Sequence, residues 1–146
     1  MISRREEILD AFTRQLAEAL APTQVDRNRE VAVDLHDVPI DGEYLVVPDP
    51  VTEAEPELRY GLTIYPLELV VKGYVRTDFK SVGPRLSHLR ARVLQAIGTD
   101  PRLGGRCQDL IEGTFESEVF PSGGAFAQAF LASYRTETWN PYGAVA

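Results

Sequence analysis

With one cysteine, Cys107, the 146-residue chain cannot close an internal disulfide, so a disulfide-stapled fold is excluded. His36 and His88 are its only histidines, and together with Cys107 they fall short of a structural zinc set. No apolar run approaches the roughly 20 residues that span a bilayer. The N-terminus lacks the apolar core of a signal peptide, so the chain is expected to be made and kept in the cytoplasm. There is no lysine-rich or arginine-rich block, and the formal charge is −7, which argues against a broad footprint for nucleic acid. Internal repeats and low-complexity tracts are also missing. What is present is an ordinary globular balance, 44% apolar with 25% charged, which is too apolar for wholesale disorder. A chain of this length buries about 68–70% of its unfolded surface in one core, so residues 1–146 are expected to form a single domain.

Ser3 stands three residues before Glu6, the spacing of a capping box, and Ile8, Phe12, Leu16 and Leu20 recur every four residues with Leu9 beside them. A helix is expected there, ended by Pro22, with one apolar stripe for a sheet. The run "QVDRNREV" reads as a short strand and Tyr44 to Val47 as a second, stopped by Pro48 and Pro50. Residues 48–58 carry Asp49, Glu53, Glu55 and Glu57 among Pro48, Pro50 and Pro56, the composition of an acidic, extended, mobile loop. Leu67, Leu69, Val71 and Val75 alternate with Glu68, Val70, Lys72, Tyr74 and Arg76 in the longest strand, where Pro66 removes one ladder donor and predicts a bulge, an edge position or a break. The second helix is expected over 83–98, with Pro84 in its first position and Leu86, Leu89, Val93 and Ile97 as its stripe. On that helix Arg85, His88, Arg90 and Arg92 are expected mainly in solvent.

Two long strand-like runs, "CQDLIEGTFESEVF" and "AFAQAFLASYRTETW", joined by "PSGG", read as a hairpin. In the second, Phe126, Phe130, Ala132 and Tyr134 share one face while Ala127, Ala129 and Leu131 share the other, so cover on both sides is expected, from helices or a neighbouring subunit. The order helix, strands, helix, hairpin predicts an α+β domain in which two helices pack on a mixed, mostly antiparallel sheet of four to five strands.

Candidate chemistry is sparse. Gly104-Gly105 follows a helix and precedes a strand, the reverse of the strand, glycine loop, helix order that aims a helix N-terminus at phosphate, so a structural corner is expected. A nucleophilic Cys107 would need a base within reach, and a buried strand-end cysteine is the simpler alternative. His36 lies between Asp34 and Asp37, which suits either a metal or a solvated turn. Glu116 and Glu118 fall on one strand face, with Glu112 expected further down it, a row that either is solvated or meets a cation, a lumen or a basic partner. Trp139 and Tyr142 in the aromatic tail, 139–146, either cover the domain's own core edge or anchor another protein. No catalytic, cofactor-binding or metal-binding set is complete, and no cofactor is expected.

In order along the chain, "RREEILDAFTRQLAEAL", "VDRNRE", "LQAIGTDPRLGGRCQDLIEG" and "FLASYRTETWNP" resemble the tail terminator, or tail completion, proteins of long-tailed bacteriophages. The resemblance covers nearly the whole chain, and "DPRLGG" with a strand ending in "YRT" is its most characteristic part. It implies a non-enzymatic, ring-forming virion subunit at the head-tail junction. A homohexameric ring would cap the tail tube, end its polymerisation and offer a docking surface to the neck. The partners implied are further copies of the chain, the major tail tube protein and the neck or head-completion proteins. DNA would pass through an acidic ring without sequence-specific binding, since carboxylates repel phosphate. The acidic loop 48–58 and the aromatic tail depart from the short form of that family. Within this role Arg27 is expected to pair with a carboxylate across the subunit interface, Trp139 and Tyr142 to anchor the neck or a neighbour, and the Glu112, Glu116 and Glu118 row to face a partner. The alternatives are a head-to-tail neck adaptor and, less well matched, a small cytoplasmic hydrolase built on Cys107 or the acidic row.

Overall fold

A computed structural model describes residues 3–29, 31–50, 57–59 and 62–135, and of the expected capping box at the N-terminus the Ser3 half is formed, while the Glu6 carboxylate accepts from Arg27. The Ser3 hydroxyl accepts a hydrogen bond from the Glu6 amide, starting helix α1 over Arg4–Ala19. Its buried stripe is Ile8, Leu9, Phe12 and Leu16. Strand β1 covers Gln24–Arg27 and ends where Asn28 takes a positive φ of 54°, shorter than the polar run around it suggests. Strand β2 follows at Glu43–Val47. Between them a capped 3₁₀ turn at Leu35–Asp37 occupies the stretch that holds His36.

The expected acidic loop is partly strand: Glu57–Arg59 forms β3, while residues 51–56 lie outside the described residues. Strand β4, Leu62–Arg76, runs without interruption through Pro66. It tolerates the proline because β6, Gly123–Arg135, pairs with it on one side only at that point. On the other side β3 reaches Leu62 to Ile64 and β2 reaches Lys72 to Val75, leaving Pro66 at a local edge among the described residues.

Helix α2 spans Phe79–Gly98, beginning earlier than the expected 83–98, because Asp78 caps it through the Ser81 amide. Pro84 therefore sits inside the helix, in its second turn, where its missing N–H leaves one bond of the helical ladder unmade. Strand β5, Ile111–Phe120, and β6 then form the hairpin around Pro121 and Ser122.

The strand path is β1-β2-β4-β6-β5, with short β3 added to β4; β1 and β2 are parallel and every other pair antiparallel. This is the expected α+β architecture, two helices on a mixed, mostly antiparallel sheet. Both helices pack on one face, where a core runs from Ile8 through Leu69, Val71, Leu89 and Val93 to Phe130 and Ala132. Phe12 meets Phe130 edge-on at 5.9 Å between centroids. Two glycines set the spacing: a Cβ on Gly73 would lie 2.2 Å from the Phe126 ring, and one on Gly124 would lie 2.7 Å from Val82. On the opposite face, residues 31–41 cover the β1-β2-β4 end, around Val38, Tyr44 and Val46. No helix among the described residues is long and apolar enough to cross a membrane.

Candidate interaction surface

At the β4-β6-β5 end of the sheet, the helices cover β4 and β6 on one face, and among the described residues the other face is open. Outward pairs there are Ile111 with Leu131, Glu116 with Ala127 and Glu118 with Ala125. Ile111 is 61% and Leu131 40% exposed, and the small Ala125, Ala127 and Ala129 continue the same face along β6. Strand β5 is an edge of the sheet, bonded to β6 alone among the described residues, and eight of its ten residues are exposed.

The acidic row does not share one face. A register shift between Glu112 and Phe115 inverts the alternation, so Glu112 points to the helix side while Glu116 and Glu118 point outward. Glu112 accepts from Arg90 at 2.8 Å. The same guanidinium lies 3.9 Å from the Phe115 ring centroid, and its Nε donates to Gln128 Oε1 at 3.0 Å. Gln128 is fully buried, and its Nε2 donates to the Gly113 and Ala129 carbonyls. Arg90 and Gln128 thus bracket the bulge from beneath. Neither was expected to matter. The available signal was a polar residue at 128, on the inward face between Phe126 and Phe130, where a buried amide requires partners. Glu116 and Glu118 make no ion pair among the described residues.

Arg85 and Arg92 are also not simply solvated. Both reach Glu43, at 3.6 and 2.8 Å, and Arg92 also donates to the Leu20 carbonyl.

Arg27 has carboxylate partners within its own chain. It projects from β1 onto α1 and is satisfied within its own chain by Asp49, Glu6 and Asp10. Its pKa is raised, chiefly by the hydrogen bond to Asp49, with Glu6 adding to it against the cost of burial. Its Nε, Nη1 and Nη2 groups thus each meet a carboxylate of the same chain. Trp139 and Tyr142 lie outside the described residues.

The Gly104-Gly105 segment is a corner. Leu103, Gly104 and Gly105 all have positive φ, the Asp100 carboxylate accepts from the Gly104 amide at 2.7 Å, and Leu103 is buried in the core. Beside it a shallow groove of about 300 Å³ mixes Arg14 and Arg106 with Glu18 and Asp100, so it favours no ligand charge. The Cys107 thiol donates to the Arg102 carbonyl, and burial, with Asp100 and Asp109 nearby, pushes its pKa up to about 11. That is the opposite of nucleophile activation. Around His36, Asp34 accepts from the His36 amide while Asp37 accepts from the Asp34 amide and from Arg29. Both carboxylates serve the turn itself. Among the described residues no three His, Cys, Asp or Glu side chains converge on a metal-sized site.

Compared with known proteins, the sequence matches no family model and no curated protein.

Proposed function

We propose that the protein is a structural subunit of a phage-type tail, assembling as a homo-oligomeric, hexameric ring that caps the head-proximal end of the tail tube. The ring stops tube growth and receives the neck. The observation that carries this reading is the asymmetry of the sheet: both helices pack on one face, while among the described residues the other face and the β5 edge are open at one end. A closed ring is built from heterologous contacts, so each subunit needs two unlike surfaces. The resemblance of the 99–113 corner and of the closing strand to tail terminators points the same way, as does the acidic charge, which suits a passage for DNA.

The test is electron microscopy of lysates from a producing strain lacking this reading frame. Overlong or ragged tails without heads are expected. Regular tails lying beside full heads would reassign the protein to the neck as an adaptor, and unaltered particles would remove it from the virion.

A further inference from the structure

We infer that β5 is an acceptor edge for one extended segment of another protein, a strand carrying lysine or arginine at alternate positions and apolar residues between them. The inference rests on β5 alone and does not require the ring.

Three features of the strand converge. Beyond the bulge, Phe115 to Phe120 form a regular ladder with β6, and nothing among the described residues pairs with the other side of β5. Backbone donors and acceptors on such a row are matched by one more strand. Glu116 and Glu118, two residues apart, project from the same face and lack ion-pair partners, in a chain whose Arg4, Arg27, Arg29, Arg85, Arg90, Arg92 and Arg102 are all paired. On the other face Val119, opposite Gly124, is 51% exposed beside the first turns of α2. An incoming strand would therefore set positive side chains against the two glutamates and an apolar one against Val119.

The same glutamates discriminate against a second copy. An antiparallel pair of β5 strands that keeps both helix layers on one side places Glu116 opposite Glu118 of the second copy, or Glu118 opposite itself, in its most overlapped registers. Like charges directly opposite are destabilising. What repels a copy of this chain selects a basic strand. Preorganisation adds to this, because Arg90 stacked on Phe115 and Gln128 bonded to Gly113 hold the acceptor in place before any partner arrives.

The experiment uses the full chain, isotopically labelled, and a synthetic peptide of sequence Thr-Lys-Val-Lys-Val-Lys-Thr. Amide shifts and slowed hydrogen exchange confined to Phe115–Phe120 and the neighbouring β6 positions are expected. Glu116→Lys with Glu118→Lys should weaken binding by roughly tenfold, since two attractive cross-strand pairs become repulsive. It should also gain binding to the peptide in which glutamate replaces lysine. Glu116→Gln with Glu118→Gln should fall between, and both variants change only exposed side chains, so the amide spectrum should report an intact fold. Unchanged exchange in β5, or equal binding of a shuffled peptide of the same composition, would overturn the inference. So would β5 protection that rises with protein concentration in the absence of peptide, which would give the edge to a second copy.

Discussion

Gly73, which faces Phe126 across the β4-β6 pair, and Gly124, which lies under Val82 of α2, are both tightly packed, and one methyl group tests the first. In Gly73→Ala the new carbon would lie 2.2 Å from the Phe126 ring, which is packed too well to move freely. A loss of roughly 1–3 kcal/mol in urea unfolding is expected, as for other overpacked cores. Cys107 makes a different kind of prediction. With its pKa pushed from 9.0 to about 11, the folded thiol at pH 8 carries far less thiolate than the unfolded one. Alkylation of the native protein should be roughly 100-fold slower than of the urea-unfolded chain. Comparable rates in the two states would show that the thiol is neither buried nor raised. Asp37 responds on the acid side. Its pKa is lowered, first by the Asp34 amide and then by Arg29, so the interaction is present above the ordinary value of 3.8 and is lost as pH falls through the lower folded value. The Asp34 amide should lose exchange protection below pH 3.8 in the wild type, whereas Asp37→Asn should abolish that acid-linked step.

At the scale of elements, the helices and the long hairpin were legible because each carries its own periodicity, and a stripe such as Ile8, Phe12, Leu16 and Leu20 needs no knowledge of the rest of the chain. The pieces that escaped depend on distant partners. Pro84 suggested a helix start, but Asp78 offers a better cap and α2 takes it. The bulge that separates Glu112 from Glu116 and Glu118 depends on Gln128, which contributes from the facing strand, so strict alternation along β5 misplaced one carboxylate. Arg27 was legible as a residue in need of a carboxylate. That the carboxylates lie on α1 and beyond β2 becomes visible only once the sheet brings them together. The tie between the helices is testable in the same terms. Gln15 on α1 donates its side-chain amide to the Ala96 carbonyl at 2.8 Å and to Asp100 at 3.2 Å, closing the C-terminus of α2. Gln15→Ala should cost about 1 kcal/mol and raise exchange in the last turn of α2. Unchanged exchange there would mean that the carbonyls find water equally well.

For the whole molecule, β4 and β6 form the spine, paired from Ile64 with Arg135 to Arg76 with Gly123, and the core on one side draws on both helices and on β2, β4 and β6, with Val25 of β1 and Phe115 of β5 packed against it. Loss of either helix or of β4 or β6 would uncover part of that core. Far-ultraviolet and aromatic circular dichroism are therefore expected to trace one coincident urea transition. The long sequence separation between β4 and β6 should place folding in the slower, millisecond-to-second range of small domains. The bracket of Arg90, Phe115 and Gln128 beneath β5 has a thermodynamic corollary. A strand that joins this edge meets a template already ordered, so the conformational entropy of docking is lost almost wholly by the newcomer. Changes that stiffen the incoming segment should then raise affinity with little change in this chain, and the release rate is where that gain would be read.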